Sequence, residues 1–448
     1  MLNDEQIKAL VSDMWALHLQ EASWLDRIYG YVKGIRGVPA IPDDAENEIK
    51  DLAKLSVLNV LGMVRDSFAQ NLSVVGYRAA TATENAPAWK MWQRNRMDAR
   101  QGEIFRPMLT YGASYVVVLP GERGPVFRPR SPRQLLAVYE DPTVDAWPQY
   151  AMETWVTQKD AKLRRQGLLL DSQFMYQIDL GELTPQSDLN LKTLPYKIQE
   201  IGDPVPHGGA YEGEPVCPVV RFVNDRDADD WIVGEVAPLI QMQQAINNVN
   251  FDRLIVSRFG AQPQDVIVGW SGTAAEFAET SARHKWVFDD EGVRVQRLTA
   301  GTTDSYNALL ADLLEHVAMT AGISPAQVTG KMINVSAEAL AAAEATMQRK
   351  LRAKRDSSGE SIEQMLRLGA AMDGDAGTAE DESAEVVWRD TEARSFAAVV
   401  DGVTKLATVN PAILPHLLTL IPGITQQQVA AIKEDIANST VPAPSTHE

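Results

Sequence analysis

The stretch VTGKMI is the part of the sequence that most resembles a phosphate-binding loop. In such a loop, glycine backbone surrounds the phosphates, a lysine neutralises their charge, and the next residue, Ser or Thr, binds Mg²⁺. Here Met332 follows Lys331, and no glycine lies five residues before Gly330. The pattern therefore predicts no nucleotide site in this stretch.

Residue types that act in acid–base or metal chemistry are present without the spacing that such sites need. The six histidines include no HExxH or other paired metal-ligand spacing, and GxSxG is absent. The adjacent acids Asp229–Asp230 and Asp289–Asp290 could bind a metal ion in a nuclease, but adjacent side chains point in different directions and both pairs lie in turn-like sequence. We therefore predict no catalytic residue, no metal site, no cofactor and no enzymatic activity.

The composition restricts the possible partners. With 448 residues and 45% hydrophobic content, the chain is long enough for two or more domains. A formal charge of −18 argues against binding DNA over the whole surface, since phosphate binding needs clustered Lys and Arg. Cys217 is the sole cysteine, which excludes an intrachain disulfide. The sequence has no run of about eighteen apolar residues, so no membrane span is predicted. We expect a soluble protein whose contacts with DNA, if any, are local or weak.

The spacing of apolar residues predicts the elements of the first half of the chain. Helical spacing predicts helices over residues 3–28 and about 87–110, and a long, mostly buried helix over 44–72. Alternating apolar residues between Pro and Gly predict several strands within 113–223. The first half is therefore predicted to be α+β.

The second half changes to long helices. Periodic apolar residues predict helices over about 236–259 and 304–321, separated by a short β-rich insert. The predicted apolar face of the first of these consists of Leu239, Met242, Ile246, Val249, Arg253 and Val256. A stiff, alanine-rich helix is predicted from Ser336 to about Ala371, and the acidic residues 371–383 are predicted to form a surface linker.

Three stretches, in their order and spacing, resemble the portal proteins of long-tailed bacteriophages. PVCPVVRFVNDRD leading into GEVAPLIQMQQAINNVNFDRL is similar to the family's strand before the stem and its first stem helix. TAGISPAQVTGKMINVSAEAL is similar to the link from the second stem helix through a tunnel loop to a long wing helix, and VVWRDTEARS is similar to the strand that returns to the wing. The resemblance covers nearly the whole chain.

This resemblance implies a ring of about twelve subunits at one capsid vertex, with a wing, stem, clip and crown around a DNA tunnel. The implied fold is α+β, with an α/β wing, a two-helix stem, a small β-rich clip, a long wing helix and a helical crown. The implied divisions are 1–233 wing, 234–259 first stem helix, 260–302 clip, 303–321 second stem helix, 322–335 tunnel loop, 336–390 long wing helix and returning strand, 391–438 crown, and 439–448 flexible tail.

The resemblance also implies a function and partners. Double-stranded DNA would be packaged and ejected through the channel of a virion that is assembled in the host cytoplasm, with no membrane involved. The implied partners are further copies of the chain, the terminase large subunit, the head-to-tail adaptor, the major capsid protein and the scaffold.

Two alternatives to the portal function remain. One is another virion structural protein, such as a scaffold or capsid component, and the other is a DNA-packaging enzyme, for which the sequence lacks a phosphate loop or convergent carboxylates.

The resemblance places one set of residues in the tunnel loop. The DNA-facing candidates are Lys331, Met332, Ile333 and Asn334. The alternative that Met332 and Ile333 pack against the wing, and that the segment is only a connector, stays open. A second set on the two stem helices could line the tunnel, where acids repel phosphate and favour sliding over binding. These tunnel-lining candidates are Asp252, Asp304, Asp312 and Glu315. The alternative that they are ordinary solvent-facing acids of a helix stays open.

A third set lies in the implied clip, which would contact the packaging motor and later the adaptor. The candidates are Trp270, Arg283, Lys285, Trp286 and Arg294. The alternative for the two tryptophans is that they fill a small core within the clip itself.

Overall fold

The structure is a computed structural model. It describes residues 1–79, 86–159, 162–183, 197–260, 265–269, 292, 294–297, 301–330, 337–389, 391, 396–409, 417, 428, 431–432 and 434–435. The helices are α1 (Asp4–Val32), α2 (Asn47–Leu55), α3 (Val60–Ala69), α4 (Ala86–Arg94), α5 (Met97–Arg100), α6 (Gly102–Tyr111), α7 (Ile240–Ile255), α8 (Asp304–Ala321), α9 (Pro325–Thr329), α10 (Ala337–Asp373), α11 (Ala376–Ala379) and α12 (Phe396–Val409). The predicted α+β class is confirmed.

The strands form antiparallel sheets. They are β1 (Val74–Arg78), β2 (Ala113–Leu119), β3 (Val126–Arg130), β4 (Leu135–Val138), β5 (Tyr150–Lys159), β6 (Lys162–Leu170), β7 (Phe174–Leu183), β8 (Glu200–Ile201), β9 (Val205–Pro206), β10 (Ala210–Tyr211), β11 (Glu214–Pro215), β12 (Val219–Val223), β13 (Asp265–Val268), β14 (Arg294–Arg297) and β15 (Glu385–Trp388). The largest sheet has the order β4-β5-β6-β7-β8, with β9 also paired to β7, and a second sheet has the order β12-β2-β3. β1 pairs with β15, β10 with β11, and β13 with β14.

The chain divides into two compact units. The first consists of residues 1–33, 59–240 and 318–448, and the second consists of residues 34–58 and 241–317. No helix in the described part of the chain is both long and apolar enough to span a membrane.

Helix α1 covers one face of the largest sheet in the first unit. It begins at a capping box, in which the side chain of Asn3 accepts from the backbone N–H of Gln6 and the side chain of Gln6 accepts from the backbone N–H of Asn3. The buried residues at this contact are Ile7, Val11, Met14, Trp15, Met152, Leu169, Tyr176, Ile178 and Leu180. Full burial of a large apolar side chain contributes roughly 1.5–3 kcal/mol, so this contact is a main source of stability for the sheet.

The single long helix predicted over residues 44–72 is wrong. The structure has two helices there, α2 and α3, because the side chain of Asn59 accepts from the backbone N–H of Gly62 and starts a new helix. Helix α2 is mostly uncovered, with Leu55 71% exposed and Ala53 its buried residue. The helical spacing of apolar residues continues across the break between α2 and α3, so the capping residue Asn59 is the feature that marks the break.

The helix predicted over residues 304–321 is confirmed as α8, which ends at Gly322 with a positive φ of 74°. The alanine-rich helix is confirmed as α10. The described part of the β-rich insert contains the antiparallel pair β13 and β14. The surface linker predicted over 371–383 is wrong in part, because α10 continues to Asp373 and the carboxylate of Asp375 caps the short helix α11.

Candidate functional site

The loop at residues 331–336 lies outside the described residues, but the elements on both sides of it are described. Before it, α9 ends at Gly330, whose φ of 66° is the left-handed conformation that suits a glycine at a helix end. After it, α10 runs for 37 residues. The predicted tunnel-loop residues Lys331, Met332, Ile333 and Asn334 therefore lie outside the described residues, and the site that the structure does show is the attachment of α10.

A buried group of charged side chains attaches α10 to the segment that precedes α7. We name Glu235, Lys350, Lys354 and Asn224 the Glu235 network. The ammonium group of Lys354 lies 2.6 Å from Oε1 of Glu235, and that of Lys350 lies 3.4 Å from Oε2. Lys354 also donates to Oδ1 of Asn224 at 2.8 Å, and Nδ2 of Asn224 donates to Glu235 at 3.1 Å. Both lysines come from α10, so two turns of this helix are fixed by one carboxylate.

Burial and charge act in opposite directions on Glu235. Burial alone would raise the pKa of this carboxyl group, but the ammonium groups of Lys354 and Lys350 outweigh burial and lower the pKa below its usual value. The side chains of Lys354 and Glu235 are only 5% and 10% exposed. The Lys354–Glu235 pair is therefore shielded from solvent, which makes either of these two partners costly to remove.

Lys350 also holds the end of α8. Its ammonium group donates to the backbone carbonyl of Ala321 at 2.9 Å, where the negative end of the helix dipole favours a cation. The next residue, Gly322, has a positive φ, and a Cβ atom there would lie 3.2 Å from the side chain of Lys350. The N-terminal half of α10 is thus bonded to the end of α8.

Close backbone packing positions Glu235 itself. Its N–H donates to the carbonyl of Leu109 at 2.8 Å, at the end of α6. A Cβ atom on Gly234 would lie 2.6 Å from the carbonyl oxygen of Thr110, so only glycine fits at this crossing. The change of pattern at Gly234 is one local signal for this crossing, but no local signal indicates that Glu235 meets two lysines more than a hundred residues later.

Hydroxyl groups fix the middle of α10 to strand β12. Ser357 Oγ donates to the carbonyl of Val223 at 3.0 Å, and Ser361 Oγ donates to the carbonyl of Arg221 at 2.9 Å. With the Glu235 network, these bonds connect α10 to a sheet over about three turns. The helix that follows the loop is thus held by bonds from residues 350–361.

In the second unit, α7 uses a polar face to hold the segment at residues 34–58. Gln243, Asn247 and Asn250 are at most 3% exposed. Asn247 donates to the carbonyl of Gly37 at 2.9 Å and accepts from the N–H of Leu58 at 3.1 Å, while Asn250 donates to the carbonyl of Ser56 at 2.8 Å. The apolar face predicted for this helix is only partly right. Leu239 and Ile246 are buried and Met242 and Val249 are half-buried, but the amides carry the contacts.

The four tunnel-lining candidates lie on the two predicted stem helices. Asp252 is on α7, and Asp304, Asp312 and Glu315 are on α8; all four are exposed. Exposure fits both a channel wall and the open alternative of solvent-facing acids, so their role stays a prediction. Among the described residues, no group of three or more His, Cys, Asp or Glu side chains is arranged to hold a metal ion.

Of the clip candidates, Arg294 is described: it begins β14, is exposed, and pairs with Val268 of β13. The other four, Trp270, Arg283, Lys285 and Trp286, lie outside the described residues. The role of all five candidates stays a prediction.

Comparison with known proteins identifies the class. A model of phage portal proteins, described as SPP1 Gp6-like, matches residues 12–441. The portal protein of Mycobacterium phage L5 is 22% identical over 78% of this chain and 72% of its own length. That of Mycobacterium phage D29 is 24% identical over the same shares. The class is thus the bacteriophage portal proteins, a structural class of the virion. Within it, the chain belongs to the SPP1 Gp6-like phage portal protein family.

Solved structures also resemble the chain. One is the virion of a native gene transfer agent particle, with a TM-score of 0.48 and 12% identity, covering 86% of this chain and 95% of that chain. Another is the neck of an empty particle of the same kind, computed with C6 symmetry. It has a TM-score of 0.48 and 12% identity, covering 80% of this chain and 86% of that chain.

Proposed function

We propose that this protein forms a closed ring of about twelve copies at one capsid vertex and that double-stranded DNA is packaged and ejected through its channel. The observation that carries the proposal is the family match over residues 12–441, which spans both compact units. In this role the protein performs no catalysis. It provides the platform to which the terminase large subunit binds first and the head-to-tail adaptor later.

We further propose the assignment of elements to this ring. α7 and α8 are the two stem helices, the insert at 260–302 is the clip, and residues 1–233 with α10 and β15 form the wing. The crown follows from residue 391, and the wing contacts the major capsid protein and the scaffold during assembly in the host cytoplasm. The contact with motor and adaptor includes Arg294 together with the other clip candidates.

The loop from Lys331 to Asn334 is proposed to touch the DNA weakly. Contacts repeated around a ring add up, so a strong contact in each subunit would stall movement of the DNA. One lysine beside largely apolar residues suits this need, and the exposed acids Asp252 and Asp304 suit a wall that repels phosphate. The Glu235 network supports this role, because a loop that meets passing DNA needs a fixed attachment.

The test separates ring formation from DNA handling. Lys331 to Asn334 are replaced with Gly and Ser, rings are checked by electron microscopy, and the DNA packaged and retained by assembled heads is measured. We expect normal rings and less DNA. A matched control places Gly and Ser at the exposed Asp43 and Asp44, where no loss of DNA is expected. Unchanged packaging and retention in the loop variant would reduce the loop to a linker, and the absence of rings from the unmodified protein would refute the portal role.

A further inference from the structure

The first unit contains a basic cleft of about 780 Å³ between the end of α1, α6 and strands β5 and β6. Among the described residues that line it, six are cationic and only Glu103 is acidic. The six are Lys33, Arg65, Arg106, Arg130, Arg133 and Arg165. Such a concentration of positive charge is unexpected in a chain with a formal charge of −18.

Acids at the edges of the basic cleft neutralise only part of this charge. Asp66 pairs with Arg65 at 2.9 Å and with Arg106 at 3.4 Å, and Asp26 pairs with Arg133 at 2.9 Å. Glu153 pairs with Arg130 and also with Arg128, which lies outside the lining. Among the described residues, the lining has six cations and one acid, Glu103, which also pairs with Arg100 outside the lining. Cations therefore predominate in the described lining.

One of the cations is deeply buried. Arg165 is 1% exposed, donates to Thr154 Oγ1 at 3.2 Å, and lies 4.1 Å from the centre of the Trp15 ring. The neighbouring His18 responds to this charge: burial first, and then the Arg165 guanidinium, lower its pKa to about 4. The floor of the basic cleft is therefore positively charged and desolvated, which favours an anionic partner.

Helix α6 separates the basic cleft from an acidic region. Gly102, Arg106 and Thr110, at intervals of four residues, line the cleft. On the opposite side of the helix, the ring of Phe105 lies 5.7 Å from that of Trp388, and Met108 accepts from Ser358 of α10. The cleft and the elements around β15 therefore lie on opposite sides of the same helix.

We name residues 373–385, DGDAGTAEDESAE, the acidic segment; it has six acids and no basic residue. It joins α10 to β15, on the side of α6 away from the cleft. Asp375 is used in capping α11, and Asp373 pairs with Arg94 at 3.7 Å. Glu380 and Glu382 are exposed and, with Arg367, line a separate cleft beside α10. The chain thus carries complementary charges on two opposite sides.

We propose that the acidic segment of one subunit occupies the basic cleft of the next subunit in the ring. This inference rests on the proposed ring. A head-to-tail contact needs two different, complementary surfaces, and repetition of such a contact closes a ring. Arginine guanidinium groups bind carboxylates in a two-pronged geometry, and the cleft has the volume of sites that hold small ligands or side chains, about 300–1,000 Å³.

The experiment exchanges the charges of the two surfaces. The cleft variant carries Lys33→Glu and Arg106→Glu, both at exposed positions, and the segment variant carries Glu380→Lys and Glu382→Lys. Native mass spectrometry over a range of salt concentrations measures ring assembly, and circular dichroism checks the fold. We expect each double variant to associate about tenfold more weakly or worse, since like charges then meet across the contact. The chain with all four substitutions should recover ring assembly.

A matched control separates local from net charge. The control variant carries Lys8→Glu and Lys162→Glu, at exposed positions outside the cleft. It changes the net charge by the same amount as the cleft variant and should assemble normally. If the cleft variant fails to fold, Lys33→Gln with Arg106→Gln replaces it, with a smaller expected loss.

Normal rings from the cleft variant would overturn the proposal, and would assign the cleft to nucleic acid if duplex binding or packaging fell instead. Failure of the fourfold variant to recover would exclude the acidic segment as the occupant. Absence of rings from the unmodified protein would refute the proposed function itself.

Discussion

Replacement of Lys354 by Met should loosen the N-terminal half of α10. The ammonium and carboxylate groups are 2.6 Å apart, and at an effective dielectric constant of about 20 their attraction is about 6 kcal/mol before desolvation. Breaking a buried pair by removing one partner costs about 3–5 kcal/mol. Because Lys350 and Asn224 still contact Glu235, we expect the low end, about 3 kcal/mol, for the opening of this half of the helix.

The assay is native-state hydrogen exchange of α10, read by mass spectrometry. A loss of about 3 kcal/mol corresponds to roughly a hundredfold faster exchange of the amides near Lys354. The control is Lys162→Met, which breaks an exposed pair with Glu182 and should cost at most about 1 kcal/mol. The double variant Glu235→Leu with Lys354→Met removes both charges and should recover much of the loss. Less than fivefold faster exchange in Lys354→Met, or no recovery in the double variant, would refute the reasoning.

Two further predictions concern stability. The pKa of His18 is lowered to about 4 in the folded chain, so as the pH falls this histidine takes up a proton in the unfolded chain before it does so in the folded chain. The free energy of unfolding should therefore fall by about 3 kcal/mol as the pH drops from about 6.5 to about 4. Denaturant unfolding across this range should show a weaker dependence in His18→Gln, and an equal dependence would contradict the assignment. Gly234→Ala should destabilise the protein by about 1–3 kcal/mol, because the new Cβ atom meets the carbonyl of Thr110. The control is Gly402→Ala, where a new Cβ atom has open space and should raise stability by up to about 1 kcal/mol. Thermal unfolding measures both variants, and equal shifts of the unfolding temperature would argue against the clash at Gly234.

The elements that the sequence predicted well are those with local signals. Helix α8 ends where Gly322 and Pro325 interrupt the apolar spacing, and α10 follows from its alanines. Strand β6 has a weak local signal because its first half, KLRR, is charged, and its pairing with β5 and β7 defines it as a strand. The break at Asn59 depended on one capping side chain within an unbroken apolar pattern.

The candidate site was less predictable for a different reason. Glu235 and Lys354 are 119 residues apart, and no local pattern marks either as a partner of the other. The buried amides of α7, Gln243, Asn247 and Asn250, occur at helical spacing, but polar residues at that spacing usually indicate a solvated face. Family resemblance supplied the roles of the loop and clip residues, which the spacing of their own residues does not indicate.

The separation of Glu235 from Lys354 has a consequence during synthesis on the ribosome. At about 5–20 residues per second, the lysine is added roughly 6–24 seconds after the glutamate. Throughout that interval Glu235 lacks its main counter-charge and β12 lacks the helix whose hydroxyl groups bind it. The sheet of β12, β2 and β3 in a nascent chain therefore lacks its contact with α10 until that helix has emerged, and a chain that terminates before α10 never forms these bonds.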